Sequence, residues 1–249
     1  MAPDDPVTAA ALTIAADEPR WVEARGLLLS GRGRVVAGDE LASGWVVQSD
    51  DDRLSVVVAQ PDPGELRRVF QSLLGPWTVL AHADAAEMLL GTLADWQMSP
   101  ATVHTHPEGM LPPPDTSVPG PETGVIDARD AGLMGHVPPA LRAQLTHASS
   151  HSPVVAAFAS GRPVAFAYAA FETESLWDVS VDTLEQFRRK GYGTAAVHAT
   201  AAIMRRRFKR PVWGAFDTNV ASNTLARQLG FEPVDRLLVF SRRETPPPR

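Results

Sequence analysis

Apolar side chains recur in this chain at two spacings, and each spacing marks a kind of element. In LWDVSVDT, 176 to 183, apolar and polar residues alternate, so Trp177, Val179 and Val181 share one face of a strand. SPVVAAFASGRPVAFAYAAFE reads as a hairpin of two β-rich runs joined through Gly161. GYGTAAVHATAAIMRRRF carries small and apolar residues at helical spacing, as does NVASNTLARQLGF, which stops at Gly230. PVWGAFDT and PVDRLLVFSR read as strands, TGVIDA as a short strand, and RDAGLMGHVPPALRAQLTHAS as one or two helices. The tail TPPPR is expected to fray.

The first part of the chain repeats this alphabet. WVEARGLLL suggests a helix, and GWVVQSDDDRLSVVVAQ two strands around the acidic turn Asp50–Asp52. PGELRRVFQSLL and DAAEMLLGTLADW are helical in pattern, with WTVLAH as a strand between them and ATVHTH as another after them. Strand–helix–strand–helix–strand from Arg53 to His106 thus parallels the same order from Leu176 to Ser241. The first copy lacks a glycine-rich turn and shares few residues with the second. A duplication and a coincidence of a common α/β order both fit.

Between the halves, EGMLPPPDTSVPGPETG (108 to 124) is proline-rich and reads as a linker or long surface loop. The expected organisation is an α/β domain over 1–110, a linker over 111–123 and a second α/β domain over 124–243. With 249 residues and 44% apolar content, the chain can bury a substantial core. No apolar run is long enough to span a bilayer. Acids precede the apolar run at the start, where a signal peptide would carry cations, so a cytoplasmic protein is expected. Zero cysteines exclude disulfides, thiolate metal sites and a Cys nucleophile, and fit a reducing compartment.

Charge is unevenly spread. Residues 1–110 carry 7 Lys and Arg against 16 Asp and Glu, whereas 111–249 carry 16 against 13. Eight of those later cations lie between Arg188 and Arg210. A solvated helix face accounts equally well for those at 205–210. Nucleic-acid binding calls for a basic domain with stacking aromatics; a chain of net charge −6 with one cationic cluster better suits a small polyanion.

That cluster runs into EQFRRKGYGTAA, 185 to 196. A strand that turns through Gly-x-Gly into a helix presents unpaired backbone N–H groups at the positive end of a helix dipole, a natural phosphate site. Gly191 and Gly193 allow close approach, Arg188, Arg189 and Lys190 add charge, and Thr194 adds a hydroxyl. Alone, such a turn also fits a plain tight turn. A nucleotide-triphosphate loop lacks its Gly-Lys-Ser/Thr here, and a dinucleotide fingerprint lacks its third glycine, Ala196 standing in that place. His104, His106 and His198 fit strand and packing positions, and no metal site is expected.

Arg188-x-x-Gly191-x-Gly193 after a strand ending in Thr183 resembles the acyl-CoA motif of the GNAT superfamily of N-acetyltransferases. Asn219-Val-Ala-Ser222-Asn-Thr-Leu225-Ala226-Arg-Gln-Leu229-Gly230-Phe231 resembles that superfamily's following helix with its terminal Gly-Phe. The resemblance covers about 124 to 241; residues 1–110 suggest at most a degenerate second copy. It implies a mixed, splayed β-sheet flanked by helices, and acetyl-CoA as cosubstrate. The backbone from Arg189 to Thr194, including Tyr192, would hold the pyrophosphate. Val181 and Thr183 would pair with the pantetheine arm, and Asn219 and Ser222 would reach its amides, although helix capping explains Asn219 as well.

The implied reaction is attack of an amine on a thioester carbonyl, which requires the amine to lose a proton. The superfamily's usual acid, a Tyr in the second helix, is replaced here by Ala226. Glu172, Glu174 and Asp178 are the acids expected nearest the cleft, as bases or as solvent-edge residues. The expected partners are acetyl-CoA and an amine acceptor, with no nucleic acid or membrane, and a homodimer is compatible. Two rivals stand: a non-catalytic acyl-CoA-binding sensor or scaffold, and an aminoacyl-tRNA-dependent transferase, against which the acidic balance argues.

Overall fold

The computed structural model describes residues 5–38, 41–114 and 120–242. The TPPPR tail and the middle of the proline-rich stretch lie outside these residues. The first half runs α1 (Pro6–Ile14), α2 (Val22–Ser30), β1 (Arg34–Ala37), β2 (Gly44–Ser49), β3 (Leu54–Ala59), α3 (Pro63–Ser72), β4 (Thr78–His82), α4 (Ala86–Thr92) and β5 (Gln97–Thr105). The second runs β6 (Thr123–Ile126), α5 (Ala131–Met134), α6 (Pro139–Ala148), β7 (Val154–Ala159), β8 (Arg162–Glu172), β9 (Leu176–Thr183), α7 (Tyr192–Arg206), β10 (Arg210–Phe216), α8 (Val220–Gln228) and β11 (Glu232–Ser241).

Local chemistry explains most boundaries. Asp62 caps α3, accepting from the N–H groups of Gly64 and Glu65, with Pro63 at the first helical position. Asn219 caps α8 through the Ser222 N–H. The hairpin between β7 and β8 turns through Ser160 and Gly161, both left-handed at φ 50° and 76°. Two elements go beyond the periodicity: α1, built largely of alanine and threonine and capped by Asp5, and the four-residue strand β1. Neither carries enough apolar spacing to announce itself.

The eleven strands of the described residues form one sheet, in the order β1-β2-β3-β4-β11-β5-β10-β9-β8-β7-β6. The pairing repeats in both halves: β3 runs parallel to β4, and β9 parallel to β10. At the centre the halves exchange their last strands. β11 of the second half pairs antiparallel with β4, and β5 of the first pairs antiparallel with β10. β5 and β11 then pair with each other from Thr105↔Glu232 to Gln97↔Ser241. The halves are therefore interlocked and not strung on a linker.

The cores follow the exchange. Phe240 of β11 is fully buried among Leu66, Phe70 and Val79 of the first half, a side chain whose burial contributes about 2–3 kcal/mol. On one face of the second half, α7 packs Ala196, Val197, Ala201 and Met204 against Trp177, Val179 and Trp213. The shared face of Trp177, Val179 and Val181 is as the alternation predicts. The opposite face carries α5 and α6 over Phe166 and Tyr168. Leu111, at the head of the proline-rich stretch, is buried in the α7 core, and Arg205 donates to its carbonyl. That end of the connection is anchored.

Candidate active site

Strands β9 and β10 pair only over Leu176↔Arg210, Trp177↔Pro211 and Asp178↔Val212. Beyond that point β9 continues to Thr183 and β10 to Phe216 without pairing to each other, which opens a wedge in the middle of the sheet. On the other side of β9 the register with β8 slips between Ala169 and Glu172, a bulge opposite Asp178. Bulges bend a strand and increase its twist, and they concentrate beside functional sites. Asp178 sits at the apex.

At the mouth of the wedge α7 begins. Its N-cap is Gly191 in the left-handed region at φ 82°, and no side chain caps the helix. The first helical bond runs from the Ala195 N–H to the Gly191 carbonyl, 2.9 Å, so the amides of Tyr192, Gly193 and Thr194 precede it. A Cβ on Gly191 would meet nothing within 4 Å, whereas one on Gly193 would meet Thr183 Oγ1 at 2.9 Å and Val181 Cγ2 at 3.7 Å. Glycine at 193 thus lets α7 start against the free edge of β9. Arg189 is also left-handed, at φ 60°, and alternation of such residues curls successive N–H groups into an anion-binding concavity.

The flanking side chains leave this mouth clear. Arg188 Nε donates to the Thr183 carbonyl at 3.2 Å, and Lys190 Nζ to that of Gln186 at 3.0 Å. Arg188, Arg189 and Lys190 are exposed, and Tyr192 stacks edge-on against Phe187 at 5.9 Å. Asn219 and Ser222 are otherwise engaged: Asn219 Oδ1 accepts from the Ser222 N–H at 3.1 Å, and Ser222 Oγ accepts from Trp213 Nε1 at 2.9 Å. The capping role foreseen for Asn219 is the one it plays.

The three expected acids separate. Glu172 is tied to Lys209 at 2.8 Å and Arg207 at 3.3 Å. Glu174 makes a two-pronged pair with Arg25 of α2, at 2.7 and 2.6 Å, which holds its carboxyl below the usual range. Both are spoken for by cations, and neither is a free base. Asp178 keeps partial solvent exposure as a residue yet lies deep among protein atoms. Burial first, and then the nearby Glu23 carboxylate, push its pKa well above the carboxylate range, while the N–H groups of Gly214 and Val179 pull the other way.

Asp178, Ser180 and Asp182 share the face of β9 opposite to α7. Tyr168 of β8 pairs across to Ser180, and its hydroxyl accepts from Gln144 of α6 at 2.8 Å. Burial raises the pKa of both Tyr168 and Asp182. Glu23, on α2 of the first half, was invisible as a site residue: within WVEARG it reads as a solvent-facing acid, and only the tertiary fold buries it. Ala226 is fully buried, and α8 contains no tyrosine to serve as a phenolic acid.

The matching position in the first half is closed. There β3 and β4 pair from Leu54↔Thr78 through Val57↔Ala81, and the Asp62 carboxylate occupies the N–H groups of α3. Among the described residues the wedge between β9 and β10 therefore has no open counterpart between β3 and β4. A separate open cavity of about 630 Å³ lies between α8 and strands β5 and β11, lined by His104, Asp217, Arg227 and Arg236 among others. It lies apart from the wedge apex, and the Arg236–Asp217 pair at 2.6 Å crosses it. His104 faces the Trp213 carbonyl and His106 packs on Phe231. Among the described residues no group of three His, Cys, Asp or Glu could hold a metal ion, and no helix is long and apolar enough to cross a membrane.

Comparison with known proteins agrees with this fold. The family model of the GNAT acetyltransferases matches residues 153–240. No curated protein sequence matches the chain. Among solved structures, a GCN5-related N-acetyltransferase-like protein from Streptococcus suis superposes with a TM-score of 0.67 at 14% identity, covering 94% of this chain and 98% of that one. A GCN5-related N-acetyltransferase from Kribbella flavida gives 0.63 at 18% identity, with 95% and 96% covered. A tandem GNAT protein from the clavulanic acid biosynthesis pathway gives 0.59 at 12% identity, with 99% and 98% covered. Residues 153–240 are accordingly a GNAT acetyltransferase domain, set within a chain that has the two-domain, splayed-sheet fold of the tandem GNAT proteins.

Proposed function

We propose that this protein is an N-acetyltransferase that moves an acetyl group from acetyl-CoA to a primary amine of a small molecule or protein, within a ternary complex in the cytoplasm. The observation that carries the reading is the wedge between β9 and β10, with the uncapped, glycine-led start of α7 at its mouth. The backbone from Arg189 to Thr194 receives the pyrophosphate, with Arg188, Arg189 and Lys190 adding charge. The edge of β9 at Val181 and Thr183, unpaired with β10, offers its backbone to the pantetheine arm, with Arg188 already at the Thr183 carbonyl. Asn219 and Ser222 hold the start of α8 and position Trp213, a narrower part than reaching the arm.

Bound acetyl-CoA supplies a thioester carbonyl open to nucleophilic attack. Asp178 at the apex takes the proton of the incoming ammonium, since a carboxyl with a raised pKa is matched to that task near neutral pH. Glu172 fixes the end of β8 to the connection between α7 and β10 through Arg207 and Lys209, and Glu174, just after β8, is tied to α2 through Arg25. The sequence segments 1–110 and 124–243 act as one unit around a single site. Ala226 favours one other reading, a protein that binds acetyl-CoA without turnover.

Calorimetry of the full chain with acetyl-CoA, followed by thiol release with a panel of primary amines, tests both. Binding with thiol release from at least one amine is expected. Binding without release across the panel supports the sensor, and no heat of binding removes the site assignment altogether.

A further inference from the structure

At the apex of the wedge the Asp178 carboxyl lies within electrostatic reach of a second carboxyl, that of Glu23. Asp178 comes from β9, and Glu23 from α2 of the other half. Val22, the neighbour of Glu23, packs with Leu176 and Val212, which belong to the first and last of the three rungs joining β9 to β10. Three residues on, Gly26 lies against the β8 bulge so closely that a Cβ there would stand 2.8 Å from Phe171 Cβ. Residues three apart in a helix share a face. The face of α2 that sets Gly26 on the bulge therefore sets Glu23 over the strand beside it.

Glu23 is only 8% exposed, and buried glutamates are ordinarily paired with a cation. Here the surrounding cations are committed elsewhere. Arg25 on α2 holds Glu174, Arg20 before α2 holds Asp84 and Asp235, and Lys209 and Arg207 hold Glu172. The other titratable groups around the apex are Tyr168 on β8, whose hydroxyl accepts from Gln144, Asp182 further along β9, and His104 on β5, at the Trp213 carbonyl. Among the described residues neither Glu23 nor Asp178 enters a salt bridge. Burial raises the Glu23 carboxyl to about 7, and the Glu23 carboxylate adds to burial in raising Asp178.

We propose that Glu23 and Asp178 act as one carboxyl pair that shares a proton, with Glu23 of the first half holding Asp178 in its role as base. The inference rests on the transferase reading above. The singly protonated pair carries one negative charge, which draws an ammonium group to the apex. One proton passes from the ammonium to the pair. The amine lone pair then forms the C–N bond as the C–S bond breaks, the pair returns its proton to the departing thiolate, and the second nitrogen proton leaves to solvent. The first half is thus required chemically, although its own wedge is closed.

The test is a carboxyl titration of the full chain labelled with ¹³C in the Asp and Glu side-chain carboxyls, followed by NMR from pH 4 to 9. Asp178→Asn and Glu23→Gln assign the two signals. The wild type is expected to show both signals moving in two coupled steps. In Glu23→Gln the Asp178 midpoint is expected to fall by at least one pH unit, and in Glu23→Asp to stay raised. An unchanged Asp178 midpoint in Glu23→Gln overturns the pair. So does an ordinary, single-step titration of every carboxyl signal in the wild type, a result that needs no assignment and no variant to fold. Acetyl-CoA calorimetry on the same samples separates the two ideas: unaltered binding with uncoupled carboxyls removes the pair alone, whereas no binding by the wild type removes the transferase reading beneath it.

Discussion

Gly193 and Thr183 touch across the mouth of the wedge: a Cβ at 193 would stand 2.9 Å from Thr183 Oγ1, closer than real Cβ contacts come. Alanine is otherwise the better helix former by about 1 kcal/mol. Gly193→Ala is nevertheless expected to destabilise the protein, because α7 must shift off β9. Adding Thr183→Ala removes the offending oxygen and should restore stability above that of Gly193→Ala alone. Chemical denaturation of the four proteins in this cycle checks the coupling; additive effects would show that the two residues do not constrain each other.

Gly191 presents the opposite situation. A side chain there has space but sits at φ 82°, a conformation that costs an L-residue about 1–2 kcal/mol. Gly191→Ala is expected to lower stability by about 1 kcal/mol and to weaken acetyl-CoA binding at least tenfold, because the amides after it lose their setting. Asp62→Ala, at the matching helix start of the first half, removes a cap and costs about 1 kcal/mol yet leaves acetyl-CoA affinity unchanged. Calorimetry on the two variants distinguishes the open helix start from the closed one.

Stability should depend on pH through Glu23. Its folded-state pKa is raised from 4.5 to about 7, so the native state holds a proton that the unfolded chain has already released. That contribution is complete below about 4.5 and is lost as pH rises toward 7. Glu23→Gln, which cannot ionise, is expected to flatten this part of the profile and to gain on the wild type at pH 8 relative to pH 5. Melting temperatures at a series of pH values across this interval give the answer; parallel profiles would contradict the burial of an ionisable Glu23.

The exchanged strands predict a single unfolding event. Trp45 lies in the first-half core and Trp177 and Trp213 in the second, all three wholly buried. Removing each tryptophan in turn and following the fluorescence of the rest should give one denaturation midpoint per variant, shared with circular dichroism. Two separated transitions would mean that the central β5–β11 pairing does not bind the halves together. The segment after residue 120, expressed alone, is expected not to fold as a monomer, since β10 and β11 would lose the strand between them.

Much of this architecture was readable from local pattern. The alternation in LWDVSVDT put Trp177, Val179 and Val181 on the α7 side of β9, and the Gly-x-Gly turn marked where α7 starts. What stayed hidden depends on partners distant in sequence. Nothing near ATVHTH says that it will lie between β10 and β11, because strand pairing is set by the whole sheet. Glu172 and Glu174 read as free acids until Arg207, Lys209 and Arg25 are brought beside them. Glu23 carries no local signal at all. Its burial arises from α2 settling on the β8 bulge, where Gly26 allows close approach.

The interleaving of β5 and β11 also sets an order on biosynthesis. When β4 and β5 leave the ribosome, the slot between them can be filled only by residues 232–241, the last strand of the sheet. Until that strand emerges, the nascent first half presents two unsatisfied edges and an uncovered site for Phe240, features that invite chaperones or aggregation. A ribosome stalled anywhere before β11 would therefore release an incomplete sheet from both halves at once.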